Sequence, residues 1–329
     1  MRNGENKLFN LNEARKILIT GCAGFIGSNL TDYLLKQGHQ VLGIDNLNTG
    51  KIDNLKVALK NSNFKFYNLD LFENKNLTEL FYGKDIVYHL SANADVRYGG
   101  DSPSKDLNQN TIVTHNVLEA ARIAGIPKFV FSSTGSIYGE SGEIPTPENT
   151  ALPIQTSLYG ASKLASEGFI QAYSETFGFQ VWIFRFVSIL GPRYSHGHVY
   201  DFYTQLRNNP HKLKVLGNGM QTKSYLHVED CLEGINVGIQ KSDDQINVFN
   251  LGFDGTCTVR DSIKWITETL GVNPQLDFGA QDRGWIGDNP LIYLSTSKIR
   301  SLGWRPRYTI KESIIDTVQY LQKDSPLQL

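Results

Sequence analysis

Cysteine is scarce in this chain of 329 residues: only Cys22, Cys231 and Cys257 occur, and they lie far apart. They form no Cys-x-x-Cys pair and no set that would suggest a disulfide framework. Such frameworks belong to oxidising compartments, whereas cytosolic proteins keep their thiols reduced. The cysteines therefore favour a reduced, cytoplasmic setting.

Long apolar runs and a surplus of one charge are also missing. No apolar run reaches the ~18 residues that a membrane helix needs. The polar N-terminal stretch MRNGENKLFNLNEARK lacks the apolar centre of a signal peptide. The 32 basic and 33 acidic residues give a formal net charge of -1. We therefore expect no membrane partner and no nucleic-acid partner, although net charge does not exclude a local basic patch.

The chain does have a large apolar fraction, 40%, which is ample for a core in one elaborate domain or in two. Short apolar runs alternate with longer amphipathic stretches. This alternation predicts strands buried on both faces of a parallel sheet, with right-handed helical crossovers, hence an α/β, doubly wound, Rossmann-type fold. The predicted strands are 16–20, 40–45, 64–70, 85–90, 128–133 and 181–186, and the predicted helices are 25–38, 74–82, 106–125 and 157–177.

The pattern changes after about residue 187. Helical signals at 198–208, 227–240, 258–270 and 310–322 are separated by irregular segments that carry glycine and proline. We predict that residues 12–186 form the Rossmann domain and that 227–252 return to it. Residues 187–226 and 253–322 are predicted to form a smaller, discontinuous C-terminal substrate lobe.

The stretch ITGCAGFIGSNL places Gly21, Gly24 and Gly27 where a strand passes into a helix. Gly21 permits a tight turn, Gly24 lets a phosphate approach the backbone, and Gly27 lets the helix pack close to the strand. The free amides and dipole of the helix N-terminus favour a pyrophosphate there. The spacing is G-x-x-G-x-x-G, and by itself it is equally compatible with a tight turn that binds nothing.

Acidic and small residues end the next strands at the same edge of the sheet. Asp45 ends the second strand, 24 residues after Gly21, where a carboxylate can accept hydrogen bonds from the adenosine ribose. A carboxylate would repel a 2′-phosphate, so Asp45 favours NAD over NADP. Its alternative interpretation is a turn or N-cap residue. The third and fourth strands end in Asp70-Leu71 and Leu90-Ser91-Ala92.

Candidate catalytic residues lie further along the chain. Tyr159 and Lys163, in SLYGASK, are four apart on a predicted helix and so share one face. A neighbouring cation would stabilise the phenolate and lower a pKa that starts at about 10. Tyr159 would then serve as an acid and base near neutral pH. Ser132, Ser133 and Thr134 follow the fifth strand, where a hydroxyl could bind a substrate oxygen; each motif alone also fits an ordinary helix or turn.

Together these motifs resemble the extended short-chain dehydrogenase/reductase family, and within it the nucleotide-sugar epimerases of the UDP-glucose (UDP-galactose) 4-epimerase type. The resemblance runs from about Lys16 to Tyr320. It rests on the segments TGCAGFIGSNL, IDNLNTG, YNLDL, VYHLSANADV, NTIVTHNVLEAA, FSSTGSIYG, YGASKLASE, LGPR, LHVEDC, DRGWIGD and LGWRP.

The resemblance implies bound NAD and a reaction at C4 of the sugar. Tyr159 takes the proton from O4, C4 gives a hydride to NAD, the 4-keto sugar turns over, and the hydride returns to its other face. Lys163 holds the nicotinamide ribose, and Thr134 binds the reacting hydroxyl. The cofactor residues implied in this way are Gly21, Gly24, Phe25, Ile26, Gly27, Asp45, Asn46, Leu47, Asn48, Thr49, Gly50, Asp70, Leu71, Leu90, Ser91, Ala92, Ala94, Asn110, Tyr159, Lys163 and Val187.

The resemblance also implies a nucleotide-sugar substrate, most simply a UDP-hexose. Ser188 stands where most relatives have Asn, and Lys223 stands where many have Arg; lysine keeps the charge but lacks the bidentate fork. Arg283 fits the family's second phosphate arginine, with a longer spacing than usual to Asp288. The substrate residues implied in this way are Thr134, Tyr159, Ser188, Val199, Lys223, Arg283 and Asp288.

Related activities of the same fold remain as alternatives. The sugar 4,6-dehydratases and decarboxylating relatives carry an acid shortly after the catalytic Thr or Ser, whereas Gly135 and Ser136 follow Thr134 here. Epimerisation is therefore preferred over dehydration, while a reductase or an epimerase acting at another carbon remains an alternative. A non-catalytic NAD sensor would usually lack the Tyr/Lys pair. The resemblance implies a homodimer, because helices 106–125 and 157–177 resemble the pair that dimerises in this family; the alternative is that they simply cover the sheet. We expect no metal at His196 and His198, because a metal site would need further ligands with supporting geometry, and we expect these residues in a loop near the sugar or nucleotide.

Overall fold

The computed structural model describes residues 11–73, 77–94, 102–151, 154–281 and 291–327. Its strands are β1 Lys16–Thr20, β2 Gln40–Asp45, β3 Phe64–Asn68, β4 Ile86–His89, β5 Lys128–Thr134, β6 Gln180–Phe186, β7 Ser188–Leu190, β8 Lys212–Val215, β9 Thr222–Lys223, β10 Tyr225–His227, β11 Ile246–Leu251, β12 Cys257–Thr258, β13 Gln275–Phe278 and β14 Leu291–Ile292.

The α-helices lie mainly between these strands. They are α1 Phe25–Lys36, α2 Thr78–Phe81, α3 Pro103–Asp106, α4 Val113–Ile123, α5 Leu158–Phe177, α6 His198–Asn208, α7 Val228–Lys241, α8 Val259–Leu270, α9 Ser297–Ser301 and α10 Ile310–Asp324. Among the described residues, none of these helices is long and apolar enough to cross a membrane.

The central sheet has seven strands in the order β11-β6-β5-β4-β1-β2-β3. Every adjacent pair is parallel. Both faces are covered by core side chains: on β4, Ile86 and Tyr88 belong to one apolar cluster and Val87 to the other. This alternation explains why the strands read as continuous apolar runs, and it confirms the predicted Rossmann-type fold. Because they are parallel, the seven strands of the central sheet have their carboxyl ends at the same edge, and the candidate site lies along that edge.

The predicted helix over 106–125 is interrupted. It consists of α3, a π-helical segment Leu107–Ile112, and α4. Within the π-segment the Asn110 carbonyl accepts hydrogen bonds from Thr114 Oγ1 (2.5 Å) and Ser166 Oγ (3.2 Å). Side-chain hydroxyls that bond to a helical carbonyl favour such a local widening, and π-turns often occur next to functional sites.

Two other predicted elements are shorter in the structure. The strand expected over 64–70 ends at Asn68, because the Asp70 carboxylate accepts from the backbone N of Phe72 (2.7 Å) and forms a turn. Of the helix expected over 74–82, the structure has Thr78–Phe81, and residues 74–76 lie outside the described residues. The strand β11, at the edge of the main sheet, was not predicted.

Candidate active site

A cleft of about 1080 Å³ runs along the carboxyl ends of the central strands. One side, which we call the sheet edge, consists of residues 21–27, 45–50, 90–94 and 132–136. The opposite side, which we call the outer wall, consists of residues 194–205 and 214–225. Most residues of both sides line the same cleft. The rings of Phe25 and Tyr194 are nearly perpendicular (80°) with their centroids 5.6 Å apart, so the two sides are in direct contact.

The glycine loop is tight in the way its sequence predicts. Gly21 has φ +71°, and a Cβ built there would lie 2.7 Å from the backbone N of Ser91. A Cβ on Gly27 would lie 2.0 Å from the carbonyl oxygen of Gly21. The N-cap of α1 is Gly24, which has no side chain to satisfy the first amides of the helix. The helix N-terminus is therefore left open to the cleft, as a dinucleotide phosphate requires.

Asp45 is a turn residue, which is the alternative interpretation that the sequence left open, and its contact with an adenosine ribose stays a prediction. Its Oδ2 accepts from the backbone N of Ala23 (2.9 Å) and its Oδ1 from that of Leu47 (2.8 Å), so it braces the glycine loop. Its carboxylate also lines the cleft. Burial raises the pKa of Asp45, and the backbone hydrogen bonds oppose that rise. A Cβ on Gly50 would lie 2.9 Å from Asp45 Oδ1, so the loop after β2 closes tightly over the acid.

Tyr159 and Lys163 project into the cleft from the first turns of α5. The helix is capped by Ser157, whose hydroxyl accepts from the backbone N of Gly160 (3.0 Å). The Thr134 side chain, at the end of β5, lies near enough to the phenol of Tyr159 to act on its pKa. Thr134 Oγ1 in turn lies 3.2 Å from Ser136 Oγ. The sequence motifs for a phenol, an amine and a hydroxyl thus converge at one point of the sheet edge.

The predicted lowering of the pKa of Tyr159 is wrong for the protein as it stands. Burial raises the pKa of Tyr159 to about 12, and the nearby Thr134 side chain only partly opposes this. The reason is the position of the Lys163 ammonium, which donates to the carbonyl oxygen of Ser132 (2.9 Å) and lies 4.6 Å from the centre of the Phe131 ring. Burial lowers the pKa of Lys163 to about 7, and the charge of Glu167 opposes that fall.

Most of the residues predicted to bind cofactor or substrate line the cleft. They are Gly21, Gly24, Phe25, Ile26, Gly27, Asp45, Asn46, Asn48, Thr49, Gly50, Leu71, Leu90, Ser91, Ala92, Ala94, Thr134, Tyr159, Lys163, Val187, Ser188 and Lys223.

Four predicted residues lie behind the surface of the cleft. The Asp70 carboxylate accepts a hydrogen bond from Asn46 Nδ2 (2.6 Å). The backbone N of Leu47 donates a hydrogen bond to Asp45, and Val199 of α6 is fully buried. Asn110 is also buried, and its Oδ1 accepts from the backbone N of Asn93 (2.8 Å). These side chains brace the lining rather than form it. Arg283 and Asp288 lie outside the described residues.

Sequence reasoning missed much of the outer wall. Asp201 and Gln205 line the cleft. They lie four apart on α6, and this helical spacing was the available signal. His196 and His198, expected from the sequence to lie near the sugar or nucleotide, also line the cleft. His198 lies 2.6 Å from Ser262 Oγ and 3.0 Å from Tyr225 OH, and burial lowers its pKa to about 3. In the described part of the chain no group of three or more His, Cys, Asp or Glu residues could hold a metal ion.

Residues 17–252 match the NAD dependent epimerase/dehydratase family. The chain belongs to this family. It is 30% identical over 319 residues to a UDP-glucose 4-epimerase of Mycolicibacterium smegmatis, across 94% of this chain and 99% of that protein. The prediction of an NAD-dependent enzyme of the extended short-chain dehydrogenase/reductase type is confirmed.

Two solved structures show the same architecture over nearly the whole chain. The UDP-glucose 4-epimerase of Thermotoga maritima with UDP-glucose has a TM-score of 0.84 and 30% identity, and the match covers 94% of this chain and 99% of that one. The UDP-glucuronic acid 4-epimerase of Bacillus cereus, in complex with UDP-glucuronic acid and NAD, has a TM-score of 0.86 and 28% identity with the same coverage.

Proposed function

We propose that this member of the family inverts C4 of a nucleotide-activated sugar, most simply a UDP-hexose. The observation that carries the proposal is the meeting of Thr134, Tyr159 and Lys163 at the sheet edge, next to an uncapped helix N-terminus and the Asp45 carboxylate. The relatives named for UDP-sugar 4-epimerisation supply the substrate class.

The residues present fit NAD. The open N-terminus of α1 suits the pyrophosphate, and Asp45 suits the adenosine ribose. When bound, NAD would supply a reversible acceptor for the hydride of C4. Tyr159 exchanges the proton of O4, Thr134 holds the same sugar oxygen through the hydroxyl that faces the phenol, and Lys163 presents its amine beside them.

The surroundings of Thr134 support epimerisation over dehydration. Gly135 is buried, and a Cβ at this position would lie 2.8 Å from Ile292 Cγ2. An acid therefore does not fit directly after Thr134 unless the chain moves. The next residue, Ser136, lines the cleft with a hydroxyl, which is a poor acid or base at neutral pH.

Substrate binding is proposed for Ser188 and Lys223, which line the cleft, and for Arg283 and Asp288 by their place in the sequence. The division into a Rossmann domain (12–186 with 227–252) and a substrate lobe (187–226 with 253–322) stays a prediction. So does the cytoplasmic location, which is supported by three free, buried cysteines.

We also propose that the chain forms a homodimer through α4 and α5. Large apolar side chains are exposed there: Ile123 is 52%, Phe169 43% and Phe177 50% exposed. Since the two helices pack side by side, a second copy could cover both faces as a four-helix layer. Light scattering during gel filtration should give twice the mass of one chain, and Phe169→Glu should reduce it. A single-chain mass for the unaltered protein would contradict the dimer.

The main test is product identification. Incubating the purified protein with a panel of UDP-, dTDP- and GDP-sugars and reading the products by NMR should show one sugar converted to its C4 epimer without net oxidation. A deoxy-keto sugar would identify a dehydratase instead. Denaturing the protein and assaying the released nucleotide should recover NAD; recovery of NADP would contradict the assignment of Asp45.

A further inference from the structure

A buried ion pair lies directly behind the catalytic groups. Glu167 is fully buried, and Arg185, in β6, is 6% exposed. Arg185 Nη2 donates to Glu167 Oε2 (2.7 Å) and its Nε to Oε1 (3.1 Å), so the pair is bidentate. Neither side chain lines the cleft. Removing two charges from water is costly, and well-packed apolar residues are often as stable, so stability alone does not explain the pair.

The position of Glu167 suggests what the pair does. Tyr159, Lys163 and Glu167 are spaced four apart along α5 and lie on one face of it. Each is attached to the end of β5: Lys163 Nζ donates to the Ser132 carbonyl (2.9 Å), and the Ser133 hydroxyl donates to Glu167 Oε1 (2.5 Å). Tyr159 and Thr134 line the cleft together, and the Thr134 side chain acts on the pKa of the phenol. Two consecutive residues of β5 are thus hydrogen-bonded to two successive turns of α5, and the next residue, Thr134, lies near the turn before them.

Arg185 ties this junction to the rest of the sheet. It lies beside Ser133 in the register of β5 and β6. Its Nη1 donates to Tyr138 OH (2.7 Å) and to the Glu148 carbonyl (2.9 Å). Tyr138 OH in turn donates to Asn250 Oδ1 (2.8 Å), on β11. Arg185, which is itself held by Tyr138 and the Glu148 carbonyl, therefore fixes the position of the Glu167 carboxylate. The carboxylate can in turn fix Ser133 at the end of β5.

We propose that Glu167, anchored by Arg185, is a positioning residue for the reaction: it aligns the end of β5 so that Thr134 meets Tyr159, and it places a negative charge behind Lys163. The inference rests on the proposed epimerase function. It assigns a catalytic consequence to residues outside the cleft, and it differs from a purely structural role because it predicts a change in the ionisation of Lys163.

The sign of that change follows from the surrounding charges. The titratable groups near Lys163 are Glu167 and Tyr159 on its own helix and His89 from β4, which is buried and has a pKa lowered to about 3. Arg185 and Tyr138 lie on the far side of Glu167. Only Glu167 raises the pKa of Lys163 among the causes of its shift. Removing its charge should therefore lower the pKa of Lys163 further below about 7.

The central variant is Glu167→Gln, which keeps the shape and can still accept from Ser133. Misplacement of catalytic groups can cost up to about 100-fold in rate, so we expect kcat to fall about 10- to 100-fold with KM changed less than about threefold. The alkaline limb of the pH profile should move to lower pH. The 13Cε resonance of Lys163, in protein labelled with [13C]lysine and assigned with Lys163→Met, should titrate at lower pH in the variant than in the unaltered protein.

A matched control is Asp230→Asn, because Asp230 is also buried and paired with an arginine, Arg307 (3.1 Å), but is hydrogen-bonded to Arg307 and Tyr308 rather than to the end of β5. It should lower stability without moving the pH profile or the Lys163 titration. If Glu167→Gln does not fold, Ser133→Ala and the apolar double variant Glu167→Met with Arg185→Met replace it. The double variant should remain folded but lose kcat.

Each outcome decides the inference. A fall in kcat together with the shifted Lys163 titration supports it. An unchanged kcat in Glu167→Gln overturns it. So does a fall in kcat without a shift of the Lys163 titration, if Asp230→Asn shows the same fall. Either result leaves the epimerase function intact. A third result separates the two proposals. If the unaltered protein converts no sugar nucleotide but Lys163 titrates at lower pH in Glu167→Gln, the proposed function is overturned. The effect of the Glu167 charge on Lys163 is then retained.

Discussion

The two sides of the cleft are built in different ways. The sheet edge uses backbone: glycine turns, a helix N-terminus, and strand ends that parallel pairing brings to one line. The outer wall uses side chains, such as Asp201 and Gln205 of α6 and Lys223 of β9, from two stretches that are close together in the sequence. A backbone site tolerates little change in shape, whereas a side-chain site can change its residues one at a time. Substitutions at the sheet edge should therefore abolish function, and those at the outer wall should tune it.

The largest effect should come from Tyr159→Phe, on α5, whose ring lies next to Thr134 of the sheet edge. The variant keeps the ring but loses the proton carrier, and general acid–base catalysis is typically worth about 10²–10⁴-fold, so kcat should fall by about that factor. NAD released from the denatured protein should be unchanged. Near-normal turnover of the purified variant would show that another group moves the proton.

Gly27→Ala should act through shape alone. Its new Cβ would lie 2.0 Å from the Gly21 carbonyl oxygen, which is backbone and cannot turn away. Overpacking of this kind costs about 1–3 kcal/mol, so we expect a lower melting temperature and loss of retained NAD. Gly142→Ala is the matched control, since a Cβ there meets nothing within 4 Å. Equal NAD content in both variants would rule out a tight glycine cradle.

Lys223→Ala should have a smaller effect, because it removes one point charge from the outer wall. We expect KM for the sugar nucleotide to rise by less than the ~10-fold expected for Arg283→Ala, since arginine can hold a phosphate with two charge-assisted hydrogen bonds. kcat and NAD content should stay constant in steady-state assays of both variants. An unchanged KM in both would place the diphosphate elsewhere.

The smallest effect concerns pH and stability at Lys163. Its pKa is about 7 in the folded protein against an ordinary value of 10.5. Between these two values the unfolded chain binds more protons at this position than the folded one, so this lysine makes stability rise with pH. Denaturant unfolding of the unaltered protein and of Lys163→Met from pH 7 to 10 should show a flatter dependence in the variant. Parallel curves would mean that Lys163 is charged in the folded state.

The sequence was informative where function depends on local spacing. Gly21, Gly24 and Gly27, Asp45, and the Tyr159 and Lys163 pair all line the cleft as their patterns predict. It failed at short strands such as β9 and β10, because two or three residues carry no periodicity. It also missed the π-segment before α4, which depends on hydroxyls from Thr114 and from Ser166 of another helix.

The sequence by itself determined the Rossmann-type sheet, the tight glycine loop and the spacing of Tyr159 and Lys163, because apolar periodicity, glycine turns and four-residue spacing act within a few residues of one another. Only the tertiary structure decided the ionisation of Tyr159 and Lys163. The Lys163 ammonium donates to the Ser132 carbonyl of β5, and Glu167 of α5 forms an ion pair with Arg185 of β6. Burial is the largest cause of both pKa shifts, and it comes from segments that are distant in the chain.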